Sequence, residues 1–236
     1  MQCSLYGKVP AKRDFIAIGA PREFLNAWEP WLQAAISASR EALGDKWQPA
    51  FLTAPIWRFW LGADICGRSV IGALMSSLDG IGRYFPLTLF ACADDNAAIP
   101  PPEFTAQEDW FDAAEAFLMG TLDRDANFEA MAAELSALPP PFQELPKAPA
   151  QGGGGDGPQP LPQALPQVLL PARGQSFSDV FSSIRLRDYA KIYAGSTFWW
   201  TIGGEGIAPI ALSGKGMPDP FLFAAMLTGK FAAAPA

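Results

Sequence analysis

Histidine is absent from all 236 residues, which removes Ser-His-Asp and Cys-His catalysis, imidazole metal ligation and the side chain that titrates nearest neutrality. Cysteine is scarce: Cys3, Cys66 and Cys92 are odd in number, far apart and without CxxC spacing. They support neither a disulfide framework nor a zinc ribbon, and a reducing, cytoplasmic setting is the expectation. Charged residues make up only 17%, and the balance of 17 Lys plus Arg against 24 Asp plus Glu gives a net −7. Such a field repels phosphate backbones and anionic lipid, so nucleic acid and membrane surfaces are not expected partners. No apolar run approaches the ~18 residues of a spanning helix, and MQCSLYGKVP lacks the apolar stretch of a signal peptide. What the chain has is apolar mass: 50% hydrophobic residues, with 17 Phe and 8 Trp. At this length about 70% of the extended chain's surface can leave water, so a core needs no staples.

Between Pro139 and about residue 175 the runs PPPF, GGGGDG and PQPLPQALPQ break every helical or strand period and read as a flexible connector. The ~60 residues beyond it are near the lower limit for an independent core, so residues 1–236 are expected to form one domain that the last strands and helix complete. Strand-like segments at Ser4–Tyr6 and Phe15–Ile18 precede a long helix that starts at Pro21, has Pro30 as a kink or restart and ends at Gly44. Ile56–Leu61, Val70–Met75 and Tyr84–Cys92 read as strands, with Asp79-Gly80 as a turn signal between the last two. Thr105 and Glu108 have the spacing of a capping box ahead of the apolar stripe Trp110, Phe111, Ala114, Phe117, Leu118 and Leu122. A second short helix carries Phe128, Met131, Leu135 and Leu138.

Past the connector, Ser176 and Asp179 cap a further short helix, Phe198–Ile202 and Ile207–Leu212 form a hairpin across Gly203-Gly204-Glu205-Gly206, and Asp219-Pro220 opens a last helix. The order β-β-α-β-β-β-α-α predicts a three-layer α/β sandwich with a largely antiparallel sheet, an element order like that of longin folds. Aromatics at Trp57, Phe59 and Trp60, and at Phe198, Trp199 and Trp200, exceed what one sheet face must bury; a sheet covered on both faces can absorb them, whereas any left exposed on an edge would make a protein-binding patch.

Two segments carry chemistry. In Met75–Thr88, Asp79 tolerates a turn, Gly80 and Gly82 permit positive φ, and Arg83 can reach back to the Asp79 carboxylate. In Gly7–Phe15, a basic cluster beside Gly and Pro reads as an exposed loop. Neither Gly7-Lys8 nor Gly152–Gly155 has the spacing of a phosphate-binding loop, and Ser76 and Ser77 are not in a nucleophile elbow. No cofactor and no metal are expected. Three classes stay open on the residues alone: a protein-binding module, a histidine-free enzyme using Asp14, Asp79 and Lys8 on a phosphate or a divalent cation, and a longin-like trafficking-type adaptor.

GKVPAKRDF, PREF with WEPWL, MSSLDGIGRYFPLT, STFWWTIGG and KGMPDPFLFAAML, five blocks in order, resemble the TagF family of type VI secretion-associated proteins. Arg13 stands where the family has Gly before the Asp-Phe pair, and Ser76 and Gly80 replace a Pro and an Arg of its loop. The resemblance implies a non-catalytic cytoplasmic accessory protein, a post-translational repressor of type VI assembly that binds the forkhead-associated scaffold protein. On that expectation Gly7, Lys8, Pro10, Lys12, Asp14 and Phe15 meet Ser77, Asp79, Gly82, Arg83, Tyr84 and Phe85 at one end of the sandwich. Lys12 and Arg83 would supply charge contacts, and Tyr84 and Phe85 apolar anchors.

Overall fold

A computed structural model describes residues 1–123, 127–143 and 188–231. Among these residues seven antiparallel strands form one sheet in the order β2-β1-β5-β4-β3-β6-β7. They are β1 (Cys3–Gly7), β2 (Ile16–Ile18), β3 (Trp57–Leu61), β4 (Val70–Met75), β5 (Leu87–Cys92), β6 (Ser196–Thr201) and β7 (Ile210–Lys215). Helices are α1 (Arg22–Leu43), α2 (Trp47–Leu52), α3 (Ala63–Cys66), α4 (Glu108–Gly120), α5 (Phe128–Ala137) and α6 (Leu222–Thr228). The predicted alternation β-β-α-β-β-β-α-α therefore holds, with the one-turn elements α2 and α3 added. The predicted short helix capped by Ser176 and Asp179 and most of the connector lie outside the described residues.

Strand periodicity explains the aromatic surplus. Side chains alternate across a strand, so Trp57, Phe59 and Leu61 of β3 meet α1 and α6 on one face while Trp60 joins α4 on the other. All five β3 residues are buried. On the first face α1 presents Phe24, Trp28, Trp31, Leu32, Ala35 and Ile36, a stripe at helical spacing that stacks on Phe59, Phe90 and Trp199. Burying a Phe, Leu or Ile of this stripe stabilises the fold by roughly 1.5–3 kcal/mol over exposure. On the second face α4 and α5 cover Leu5, Ile71, Ala73, Leu87 and Leu89. Indole N–H groups find acceptors inside this mass: Trp31 donates to the Pro218 carbonyl at 2.8 Å and Trp57 to that of Met226 at 3.0 Å, which ties the last segment to α1 and β3.

Several boundaries differ from expectation for local reasons. Pro30 neither ends nor restarts α1, which runs through it to the Gly44 cap, where the Gly44 N–H donates to the Arg40 carbonyl. The Thr105–Glu108 capping box does not form. Gln107 is the N-cap, in a left-handed conformation (φ 54°) with no side-chain cap bond, and its side-chain amide instead pairs with the backbone of Phe142. Glu108 has turned away to a cation on the sheet. Tyr84 and Phe85 precede β5, where the 76–86 loop still needs irregular backbone, and Leu122 lies beyond α4. Asp219 caps a turn, its carboxylate accepting the Phe221 N–H at 3.0 Å, before α6 proper begins.

Candidate functional site

The hairpin end where β1 leaves for β2 and β4 turns into β5 brings the two predicted segments together. Gly7, at φ +137°, lies so close to the next strand that a Cβ would sit 2.2 Å from the Pro86 carbonyl oxygen. Gly80 is similarly confined, with a Cβ position 2.9 Å from the Pro10 carbonyl, and its N–H donates to the Lys12 carbonyl at 2.7 Å. Ser77 closes the seam, its hydroxyl donating to the Lys8 carbonyl at 2.8 Å.

Asp79 is the centre of this junction and has no solvent exposure. Its Oδ2 accepts the Lys8 ammonium at 2.9 Å and the Arg83 Nε at 2.6 Å, while Oδ1 accepts the backbone N–H groups of Arg83 at 2.9 Å and Ile81 at 3.1 Å. Burial alone would raise its pKa, but the Arg83 amide, the two cations and the Ile81 amide outweigh it and hold the carboxyl well below the usual range. The predicted reach of Arg83 back to Asp79 is therefore present, with the guanidinium also donating to the Arg13 carbonyl. Lys8 departs from the expectation of an exposed loop charge: it is 5% exposed, because the loop folds it inward onto Asp79 and beneath Phe15, whose ring centroid is 4.8 Å away.

The outward face of this end is narrower than the twelve residues named from sequence. Gly7, Lys8, Pro10, Ser77, Asp79 and Phe85 are buried and build the junction. Phe85 lies beneath Phe15, edge-on at 4.7 Å, and Tyr84 packs on Trp47 and Phe51 with its hydroxyl accepting from Gln48. Exposed are Lys12, Asp14, Phe15, Gly82 and Arg83, with Arg13 and Ile81, which the sequence reading left off its list. Phe15 and Ile81 are 52% and 58% exposed, high for large apolar side chains on a rigid loop. Ile81 had a signal: it is the one apolar residue between Gly80 and Gly82, at the tip where a side chain must point out.

A second charged cluster was not foreseen. Arg58, 2% exposed on β3, is forked by three carboxylates of α4: Glu115 on Nε, Glu108 on Nη1 and Asp112 on Nη2 at 3.1 Å. Residues 108, 112 and 115 follow helical i, i+4, i+7 spacing, so one face of α4 carries all three. The guanidinium also lies over the Phe111 ring at 4.9 Å.

Two cavities lie away from the Asp79 junction, one of 380 Å³ against Arg68, Asp94 and Tyr189 and one of 270 Å³ against Phe198 and Trp200. Neither is lined by Asp14, Asp79 or Lys8. Burial pushes the Cys66 thiol up to about 11 and its neighbour Cys92 up to about 12, so neither is a thiolate near neutrality.

Comparison with known proteins places this geometry. The TagF N-terminal domain, a type VI secretion system-associated family, matches residues 4–138, which include the whole Asp79 junction and the acidic face of α4. A crystal structure of PA0076 from Pseudomonas aeruginosa PAO1 superposes with a TM-score of 0.77 at 28% sequence identity, covering 100% of this chain and 98% of that one. No curated protein matches.

Proposed function

The chain belongs to the TagF family of type VI secretion-associated proteins, and from that premise we propose that it is a non-catalytic repressor of type VI assembly that works by binding another protein through its Asp79 end. The partner in this reading is the forkhead-associated scaffold protein of the system, in the cytoplasm, whose free concentration the bound complex lowers. One observation carries the reading. A protein of net charge −7 sets exposed Arg13 and Arg83, joined by a hydrogen bond from the Arg83 guanidinium to the Arg13 carbonyl, on the same two loops as exposed Phe15 and Ile81, while the Lys12 ammonium lies over the Phe128 ring at 4.3 Å. Apolar anchors beside arginine recur in protein-binding hot spots, and the hydrogen bonds that join the two loops lower the ordering entropy that association costs.

Catalysis by the same residues is disfavoured on physical grounds. Asp79 spends both oxygens on four donors and Lys8 spends its charge on Asp79 beneath a ring, so neither is placed to meet a substrate, while Asp14 is exposed on the loop. The trafficking-type adaptor reading has element order alone behind it.

Co-purification of the full chain with the type VI forkhead-associated scaffold tests this. Arg83→Glu is a poor probe, because it sets a second carboxylate against buried Asp79. Ile81→Asp and Arg13→Glu change only exposed side chains. The wild type is expected to retain the scaffold at low salt and both variants to lose it with an unchanged Tm; retention by Ile81→Asp would move the binding surface elsewhere.

A further inference from the structure

The β6–β7 hairpin overhangs the helices of its face: α4 rests on β4 and β5 and α5 on β1, while β6 and β7 extend the sheet beyond β3. Strand alternation puts Phe198 and Trp200 on that overhang, opposite Trp60 and Arg58 in register. Both rings are half-buried, Trp200 meeting Phe111 of α4 edge-on at 4.9 Å. Beside them lies the 270 Å³ groove, walled by Pro102, Ala106, Phe198, Trp200 and Ala211, with Glu108 its one charged wall residue among the described residues. This volume is below the ~300–1,000 Å³ of small-molecule clefts and suits one large apolar side chain.

Charge defines what that side chain should bring with it. Arg58 neutralises one of its three carboxylates, which leaves a surplus of two negative charges on the face of α4 that reaches the groove through Glu108. Glu108 and Asp112 carry much of it toward solvent, their side chains 60% and 73% exposed. Arg58 itself cannot leave to serve a ligand, being 2% exposed under the helix. From this apolar floor and acidic rim we infer that the groove docks a segment of a partner protein in which an apolar side chain is flanked by lysine or arginine. Trp200 and Phe198 receive the apolar group, and Glu108 and Asp112 receive the cation, at a surface that shares no residue with the Asp79 end.

The test uses the full chain and three fluorescent synthetic decapeptides: one with a central Leu flanked by Arg, one with Glu replacing each Arg, and one with Ser replacing the Leu. Fluorescence anisotropy is expected to show binding of the first alone, weakened by salt. Ala211→Arg, which fills the exposed wall with like charge, should weaken it at least tenfold, and Asp112→Asn about threefold, with unchanged Tm. Equal binding of the Arg and Glu peptides, insensitivity to Ala211→Arg, or no binding of the Leu–Arg peptide at 1 mM overturns the inference. Concentration-dependent self-association lost in Ala211→Arg also overturns it, since the occupant is then a second copy of this chain.

Discussion

The buried charges of Asp79 and Arg58 are held in opposite ways. At the loop end one carboxylate, Asp79, is enclosed by two cations and two amides, whereas on the sheet one guanidinium, Arg58, faces three carboxylates, two of them largely in water. Enclosure makes Asp79 a keystone of local backbone, since the chain at Ile81 and Arg83 folds around it. Arg58 is a cross-brace between finished elements. The first should tolerate almost no change and the second a good deal, because a buried charge stripped of its partner is costly while solvated carboxylates lose little when left alone.

The largest effect is therefore expected from Asp79→Ala, which leaves Lys8 buried without a counter-charge and two amides without an acceptor. Its Tm should fall by roughly 10 °C in thermal unfolding. Lys8→Met should lower Tm by roughly half as much, because Arg83 and both amides still hold the carboxylate. Arg58→Met keeps the apolar stem against Phe111 and should shift Tm by no more than about 5 °C. If Arg58→Met proves worse than Asp79→Ala, the contrast between keystone and brace is wrong.

Acid separates the two clusters further. The folded-state pKa of Asp79 is depressed, so the unfolded chain binds the proton more readily, and stability from this group is present above the ordinary carboxylate pKa of about 4 and drains away as pH falls below it. Wild type should thus be more stable than Asp79→Asn at pH 7, and the gap should shrink steadily below about pH 4 in denaturant titrations. A gap that stays constant down to pH 2 would mean the carboxylate is not held as its hydrogen bonds require.

The same contrast explains what was legible beforehand. The Asp79–Arg83 pair is an i, i+4 contact inside one turn, written in Asp79-Gly80-Ile81-Gly82-Arg83, and the element order together with the aromatics Trp57, Phe59 and Trp60 pointed to a sheet with helices on its faces. Arg58 meets partners 50 to 57 residues away, a pairing that no local pattern encodes, and it drew Glu108 out of the capping role its spacing suggested. Lys8 misled for a related reason: a lysine in a basic loop looks solvated unless its distant counter-ion is known. Arg13 has no period to single it out among the loop's other charges, whereas Ile81 is legible from its place between Gly80 and Gly82.

Hydrogen exchange of the full chain, with and without the type VI forkhead-associated scaffold, tests the central claim most directly. New protection is expected at residues 10–15 and 80–84, lost in Ile81→Asp, with β3 and α4 unchanged. Protection elsewhere, or none at saturating scaffold, would contradict that claim.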